Sequence, residues 1–295
     1  MSRRTLALGA VGFGLSVALT VGITQNAAAT PRGLDRTPSA AARAAGITAA
    51  GGGYAGWSGH ASMTRTQRSL PSTAPSKVPS TLTPMATGST VPGIDVSSYN
   101  APVNWGSWWN KGKRFAYIKA TEGTSYRNPS FSKQYTYSYR KGFIRGSYHF
   151  GRPDGASGAA QARYFVAHGG GWSADGKTLP GALDLEQNYT DGKHPCWRNS
   201  DAENVAWAKS FVKEYRKLTG RDAVIYTNMN FWKQCMGNTT AFRNTNPLWF
   251  AYYGTPKSVP GGWPYYTFLQ YSGTGMDLDR FSAGLSRLKA LALNR

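Results

Sequence analysis

Pro180-Gly181-Ala182-Leu183-Asp184-Leu185-Glu186-Gln187 reads as a short buried strand that ends in two carboxylates. Side chains alternate across a strand, so Asp184 and Glu186 point one way and Leu183 and Leu185 the other. The strand rise places the two acids about 6.5–7 Å apart at Cα. Such a pair repels unless something charged, polar or protonated lies between its members. Glycoside hydrolysis asks for this arrangement, because one carboxyl must be a protonated acid while its neighbour stays ionised. On these residues alone a plainer reading stays open, in which Asp184 caps the following loop and Glu186 pairs with a cation.

Upstream of this stretch, Gly93-Ile94-Asp95-Val96-Ser97 reads as a strand, followed by a helix-like turn through Trp105, Trp108 and Trp109. A second strand is expected over 114–121, a helix over 129–141 stopped by Gly142, a third strand over 144–150 and a helix over 156–167. Downstream, Ser200-Asp201-Ala202-Glu203 is a capping box, in which serine and glutamate satisfy orphan amides reciprocally. The helix it opens carries Val205, Ala208, Phe211, Val212, Tyr215 and Leu218 on one face and stops at Gly220. Strands follow over 223–228, 248–253, 267–271 and 276–278 with little helix between them, and a last helix over 282–292.

Alternating strands and helices imply an α/β protein with a parallel sheet, and eight strands imply a closed TIM-like barrel, irregular in its helix-poor last third. In such a barrel the active site lies at the C-terminal strand ends. Asp95 ends the first strand, Asp184 and Glu186 the fourth, and Asp277 falls in the last. Lys119, Glu122, Tyr148, Tyr226, Tyr253 and Gln270 end others. With only 14 acids in the chain, four at strand ends form a constellation.

Three regions differ in composition. Arg3 and Arg4, an apolar run from Leu6 to Ile23 and Ala27-Ala28-Ala29 describe a signal peptide over 1–29, which places the mature protein outside the cell with no remaining membrane anchor. Residues 30–90 are rich in Ala, Gly, Ser, Thr and Pro without apolar periodicity, and read as a disordered linker or pro-segment. Residues 91–295 carry the dense aromatics of one sizeable domain. Lys plus Arg outnumber Asp plus Glu by 34 to 14; removing Arg3 and Arg4 leaves 32 − 14, or +18. That charge should draw the protein to polyanions, for an exported chain anionic cell-wall polymers. No nucleic-acid motif is present, so a nucleic-acid binder is disfavoured. Cys196 and Cys235, the only cysteines, are expected to form one disulfide.

Several ordered motifs then fall into line: Gly93-Ile94-Asp95-Val96-Ser97, Ile118-Lys119-Ala120-Thr121-Glu122-Gly123, Tyr148-His149-Phe150, Leu183-Asp184-Leu185-Glu186, Leu248-Trp249-Phe250-Ala251, and Gln270-Tyr271-Ser272 leading to Met276-Asp277-Leu278-Asp279-Arg280-Phe281. Over residues 91–288 the set resembles family 25 of the glycoside hydrolases, lysozymes that are N-acetylmuramidases. The resemblance implies a barrel of five βα units and three further strands. It makes Glu186 the general acid, Asp184 its partner, and Asp95 and Asp277 supporting carboxylates. Asp279 shares a strand face with Asp277, and the position directly after Gly275-Met276 favours Asp277. The implied substrate is the β-1,4 bond from N-acetylmuramic acid to N-acetylglucosamine in bacterial peptidoglycan, cleaved by a monomeric enzyme. The negative charge of Asp184 would raise the pKa of Glu186. The resemblance suggests retention with the sugar's acetamido oxygen as nucleophile; sequence leaves a covalent ester and inversion open.

Tyr148, Tyr226, Trp249 and Tyr253 stand where they could stack on sugar faces. No cofactor is called for. His60, His149, His168 and His194 lack metal-ligand spacing, and His149 reads as packed under the site. Two other readings compete with this resemblance. A chitinase-like barrel would carry a further acid where Ala182 stands, and a non-catalytic wall-binding barrel has no use for a protonated Glu beside an Asp. Since every expected strand follows Val91, a chain beginning near Ser89 should match the longer mature chain in melting temperature and in rate on soluble substrate. A marked loss of either would make residues 30–88 part of the folded enzyme.

Overall fold

In the computed structural model the described residues are 90–273 and 275–295, so the expected signal peptide and all but the last residue of the expected linker lie outside them. The described chain runs β1 (Val91–Val96), α1 (Trp105–Asn110), β2 (Phe115–Glu122), β3 (Tyr126–Arg127), α2 (Phe131–Lys141), β4 (Ile144–Phe150), α3 (Gly158–Phe165), β5 (Ala182–Asp184), α4 (Asp201–Thr219), β6 (Val224–Asn228), α5 (Met229–Cys235), β7 (Leu248–Ala251), β8 (Phe268–Ser272), β9 (Asp277–Phe281) and α6 (Leu285–Leu293). Local chemistry sets the helix ends. Ser200 and Glu203 form the expected capping box of α4, and Gly220 closes it in the left-handed conformation.

The sheet closes in the order β1-β2-β4-β5-β6-β7-β8-β9, with β9 returning to β1 and the two-residue β3 folded onto the end of β2. Neighbours from β1 to β8 are parallel, but β9 is antiparallel to both β8 and β1. The all-parallel expectation is thereby corrected. Only residues 273–276 join β8 to β9, and a parallel return needs a crossover of roughly ten residues or more. Two further elements escaped the sequence reading. One is the hairpin strand β3; the other is α5, announced by Asn228, whose side chain accepts from the amide of Phe231.

Alternation divides the strands into two layers. Leu183, Leu185, Ile225, Phe250 and Leu269 face out and pack with Phe165, Phe211 and Tyr215 of α3 and α4. Phe115, Tyr117, Trp249, Phe268 and Phe281 face in and fill the barrel. Tyr117 stacks on Trp249 with 4.7 Å between centroids, and Phe268 meets Tyr117 edge-on. Two inward positions hold glycine because these rings need the room: a Cβ on Gly93 would stand 2.4 Å from the Phe115 ring, and one on Gly146 2.4 Å from the Tyr117 ring. The barrel is thus a solid floor with polar groups collected above it. Cys196 and Cys235 are bonded, tying the loop after β5 to the end of α5. Among the described residues no helix is long and apolar enough to cross a membrane.

Gly93→Ala is expected to destabilise the barrel by about 1–3 kcal/mol through overpacking. The measurement is a denaturant midpoint, and an unchanged midpoint would show that the Phe115 ring yields freely.

Candidate active site

Inward-facing polar residues gather at one end of the barrel because strand direction sends them there. Asp95, Lys119, Tyr148 and Asp184 come from the C-terminal halves of parallel strands, and Tyr226 and Gln270 from the middle of two more. Since β9 runs the other way, it delivers its first residues to the same end. Asp277 stands opposite Asp95, and Asp279 opposite Gln270. Asp95, Asp184 and Asp279 are wholly buried, and Glu186 and Asp277 nearly so. Five carboxyls therefore share one water-poor end.

The strand pairing of β5 ends at Asp184, yet the amide of Leu185 still donates to the carbonyl of Tyr226 at 2.9 Å. The chain stays extended for one more step, and Leu185 packs outward with the helices. The peptide of Glu186 is then held from behind, where Trp197 Nε1 donates to its carbonyl oxygen at 2.8 Å. Neither oxygen of Asp184 meets a hydrogen-bond donor among the described residues, so Asp184 caps nothing. Burial, and next the charge of Glu186, push the Asp184 carboxyl well above the usual carboxylate range; Lys119 pulls the other way.

Lys119 is committed elsewhere as well. Its Nζ donates to Glu122 Oε2 at 2.7 Å, and Arg152 Nη1 reaches Glu122 Oε1 at 3.2 Å. Burial pushes Glu122 up, but the two cations outweigh it and hold this carboxyl below its ordinary value. Glu122 is an ionised clamp. Gln270 forms a second clamp, with Nε2 donating to Asp95 Oδ2 at 2.7 Å and Oε1 accepting from the hydroxyls of Tyr226 at 3.1 Å and Tyr253 at 3.4 Å.

The four aromatics expected to meet sugars separate into two groups. Trp249 lies one layer down, wholly buried, stacked on Tyr117 and donating Nε1 to Asp279 Oδ1 at 2.9 Å. Its ring presents no face to the mouth. Tyr148 and Tyr226 are wholly buried too, and only Tyr253 keeps exposed ring surface at the rim. His149 faces away from the barrel, bonded to Thr121 Oγ1 at 2.8 Å and Gln161 Oε1 at 3.0 Å, and burial pushes it down to about 4. It is a packed neutral histidine, as the sequence suggested.

The sequence favours Asp277 over Asp279 and does not mark Trp197 or Arg152, whereas the structure brings all of them to the site or its support. Asp279 was visible as the i+2 neighbour of Asp277; nothing local marked the other two. Among the described residues no group of His, Cys, Asp and Glu is arranged to hold a metal ion. What the site offers is proton chemistry, with carboxyls kept protonated by burial beside others free to ionise.

The family model described as "Glycosyl hydrolases family 25" matches residues 94–279. The chain belongs to that family. This glycoside hydrolase is 50% identical over 212 residues to an N,O-diacetylmuramidase of Chalaropsis sp, spanning 69% of this chain and 99% of the relative. Lysozyme M1 of Streptomyces globisporus is 44% identical over 213 residues, spanning 69% of this chain and 72% of the relative. The solved muramidase of Trichobolus zukalii superposes with a TM-score of 0.67 at 46% identity, covering 70% of this chain and 100% of that one.

The buried acids of this family 25 hydrolase link its stability to pH. A carboxyl whose folded pKa is raised binds more protons folded than unfolded, so its contribution is fully favourable at low pH and is lost as pH rises from about 4 toward the raised value. For Asp277, raised by burial, Asp279 and Glu186, the variant Asp277→Asn should gain melting temperature relative to the parent as pH goes from 5 to 8. A relative melting temperature that is flat or falls over that range would refute the assignment.

Proposed function

We propose that this hydrolase is a lysozyme, cleaving the β-1,4 bond from N-acetylmuramic acid to N-acetylglucosamine in bacterial peptidoglycan, with Glu186 as general acid and Asp184 as its partner. The observation that carries the reading is Asp184: buried beside Glu186, with neither oxygen meeting a donor among the described residues. The named relatives, a muramidase and a lysozyme, support the substrate class.

The family resemblance suggests a retaining route. Glu186 gives its proton to the glycosidic oxygen as the bond to C1 breaks. The acetamido oxygen of the same sugar attacks C1, forming a cationic five-membered ring. Asp184 accepts the hydrogen bond from the acetamido N–H, orienting that attack and balancing the charge as it forms. Water then gives a proton to the Glu186 carboxylate and attacks C1, the ring opens, and the acetamide is restored with retention at C1. Asp95 and Asp277 supply further negative charge around the cationic intermediate, and the exposed part of Tyr253 offers a sugar contact at the rim. The net charge of +18 left after removal of Arg3 and Arg4 suits work outside the cell on a wall rich in anionic polymers.

Glu186→Gln keeps the shape and removes the proton, so lysis of purified walls should fall about 10²–10⁴-fold while wall binding persists. Asp184→Asn should be severely impaired on the same substrate, with chitin as the control. Near-normal clearing by the Glu186 variant would remove it from the acid role.

A further inference from the structure

We propose that Asp279 is a positioning residue: its carboxyl shares one proton with that of Asp95, and this two-carboxyl unit sets the charge and orientation of the supporting acid on β1. The inference rests on the reading that Asp95 serves the reaction, and deepens it.

The argument is an account of four oxygens. Asp95 Oδ2 accepts from Gln270 Nε2 at 2.7 Å, and Asp279 Oδ1 accepts from Trp249 Nε1 at 2.9 Å. The other two, Asp95 Oδ1 and Asp279 Oδ2, are buried and meet no N–H or O–H donor among the described residues. The two carboxyls instead lie within reach of each other, close enough for each to act on the other's proton. An ionised carboxylate can only accept, so two of them can bond only if one carries a proton. Strand register brings them together: β9 sets Asp279 opposite Gly93, two residues along the same inward face from Asp95. Both are wholly buried, so bulk solvent does not reach them.

From the elements packed around it the unit faces Asp277 on its own strand, Lys113 ahead of β2, and the hydroxyls of Tyr117, Tyr226 and Tyr253, with Glu186 beside Asp277 and the two outer tyrosines. Burial, then Asp277 and Asp279, push Asp95 well up; burial pushes Asp279 up to about 7, against the pull of Trp249 and Asp95. With its proton the unit carries one negative charge. Losing it creates two facing carboxylates beside Asp277, and repulsion would turn Asp95 away from Gln270.

The test compares Asp279→Asn with Asp279→Ala in the full chain. In the Asn variant an amide N–H replaces the shared proton and the amide oxygen still accepts from Trp249, so the unit can never carry more than one negative charge. Its kcat at pH 5 should stay close to the parent's, and the alkaline limb of its kcat/KM profile should move to higher pH. Its melting temperature should lose the part of the decline between pH 5 and 8 that the unit causes. The Ala variant leaves Asp95 Oδ1 without a donor, so kcat should fall roughly tenfold or more with little change in KM. An Asn variant with the parent's melting profile, or one as impaired as Ala, would overturn the proposal. The melting profile needs no activity, so it can fail independently of the role given to Glu186.

Discussion

Five carboxyls taken out of water at one end of a barrel cannot all ionise, and most of what surrounds them can be understood as a response to that constraint. Gln270 and Trp249 each donate to one of the acids, and the tyrosine hydroxyls in turn hold Gln270. Lys119, the cation that favours an ionised Asp184, is itself held by Glu122 and Arg152. Such a site costs stability, which the aromatic floor below it has to offset. The Phe115, Tyr117, Trp249 and Phe268 rings fill the barrel beneath it.

Much of this was legible in the sequence where the cause is local. Alternation placed Asp184 and Glu186 on one face and Leu183 and Leu185 on the other, and the strand behaves so even past its last ladder pair. Ser200, Glu203 and Gly220 marked the ends of α4 because their side chains, or the lack of one, act within a turn. What was not legible depends on partners far along the chain. The direction of β9 follows from a connection too short to cross over, a signal overridden by the expectation of a parallel sheet. Trp249 looked like a sugar platform because its strand ends near the mouth. Its depth is set by Tyr117 on another strand, 132 positions earlier. The approach of Asp95 to Asp279 could not be read from spacing, since β1 and β9 lie at opposite ends of the domain sequence.

The loop after β5 has its own logic. Trp197 and Arg198 both sit at φ 62°, a conformation that costs residues with side chains about 1–3 kcal/mol each. Something must hold them there. Cys196, next door, is bonded to Cys235, and Asn204 Nδ2 donates to the carbonyls of both cysteines, at 3.2 and 3.0 Å. Arg152 lies over the Trp197 ring at 4.7 Å and reaches Glu122 with its guanidinium. The indole that steadies the Glu186 peptide is therefore fastened to a helix, a disulfide and the Lys119 clamp together. A buried acid with a fixed backbone has little freedom to turn its carboxyl away from its neighbour.

The reversed last strand also decides where the polypeptide meets the barrel. β1 starts and β9 finishes at the same end, with Val91 paired to Phe281. Arg295 lies there too, beside Pro247, Thr267 and Phe281 in a hollow on that end. Val91 and Arg295 thus both lie at the end opposite the carboxylates, so the polypeptide meets the barrel at its closed floor and not at the mouth.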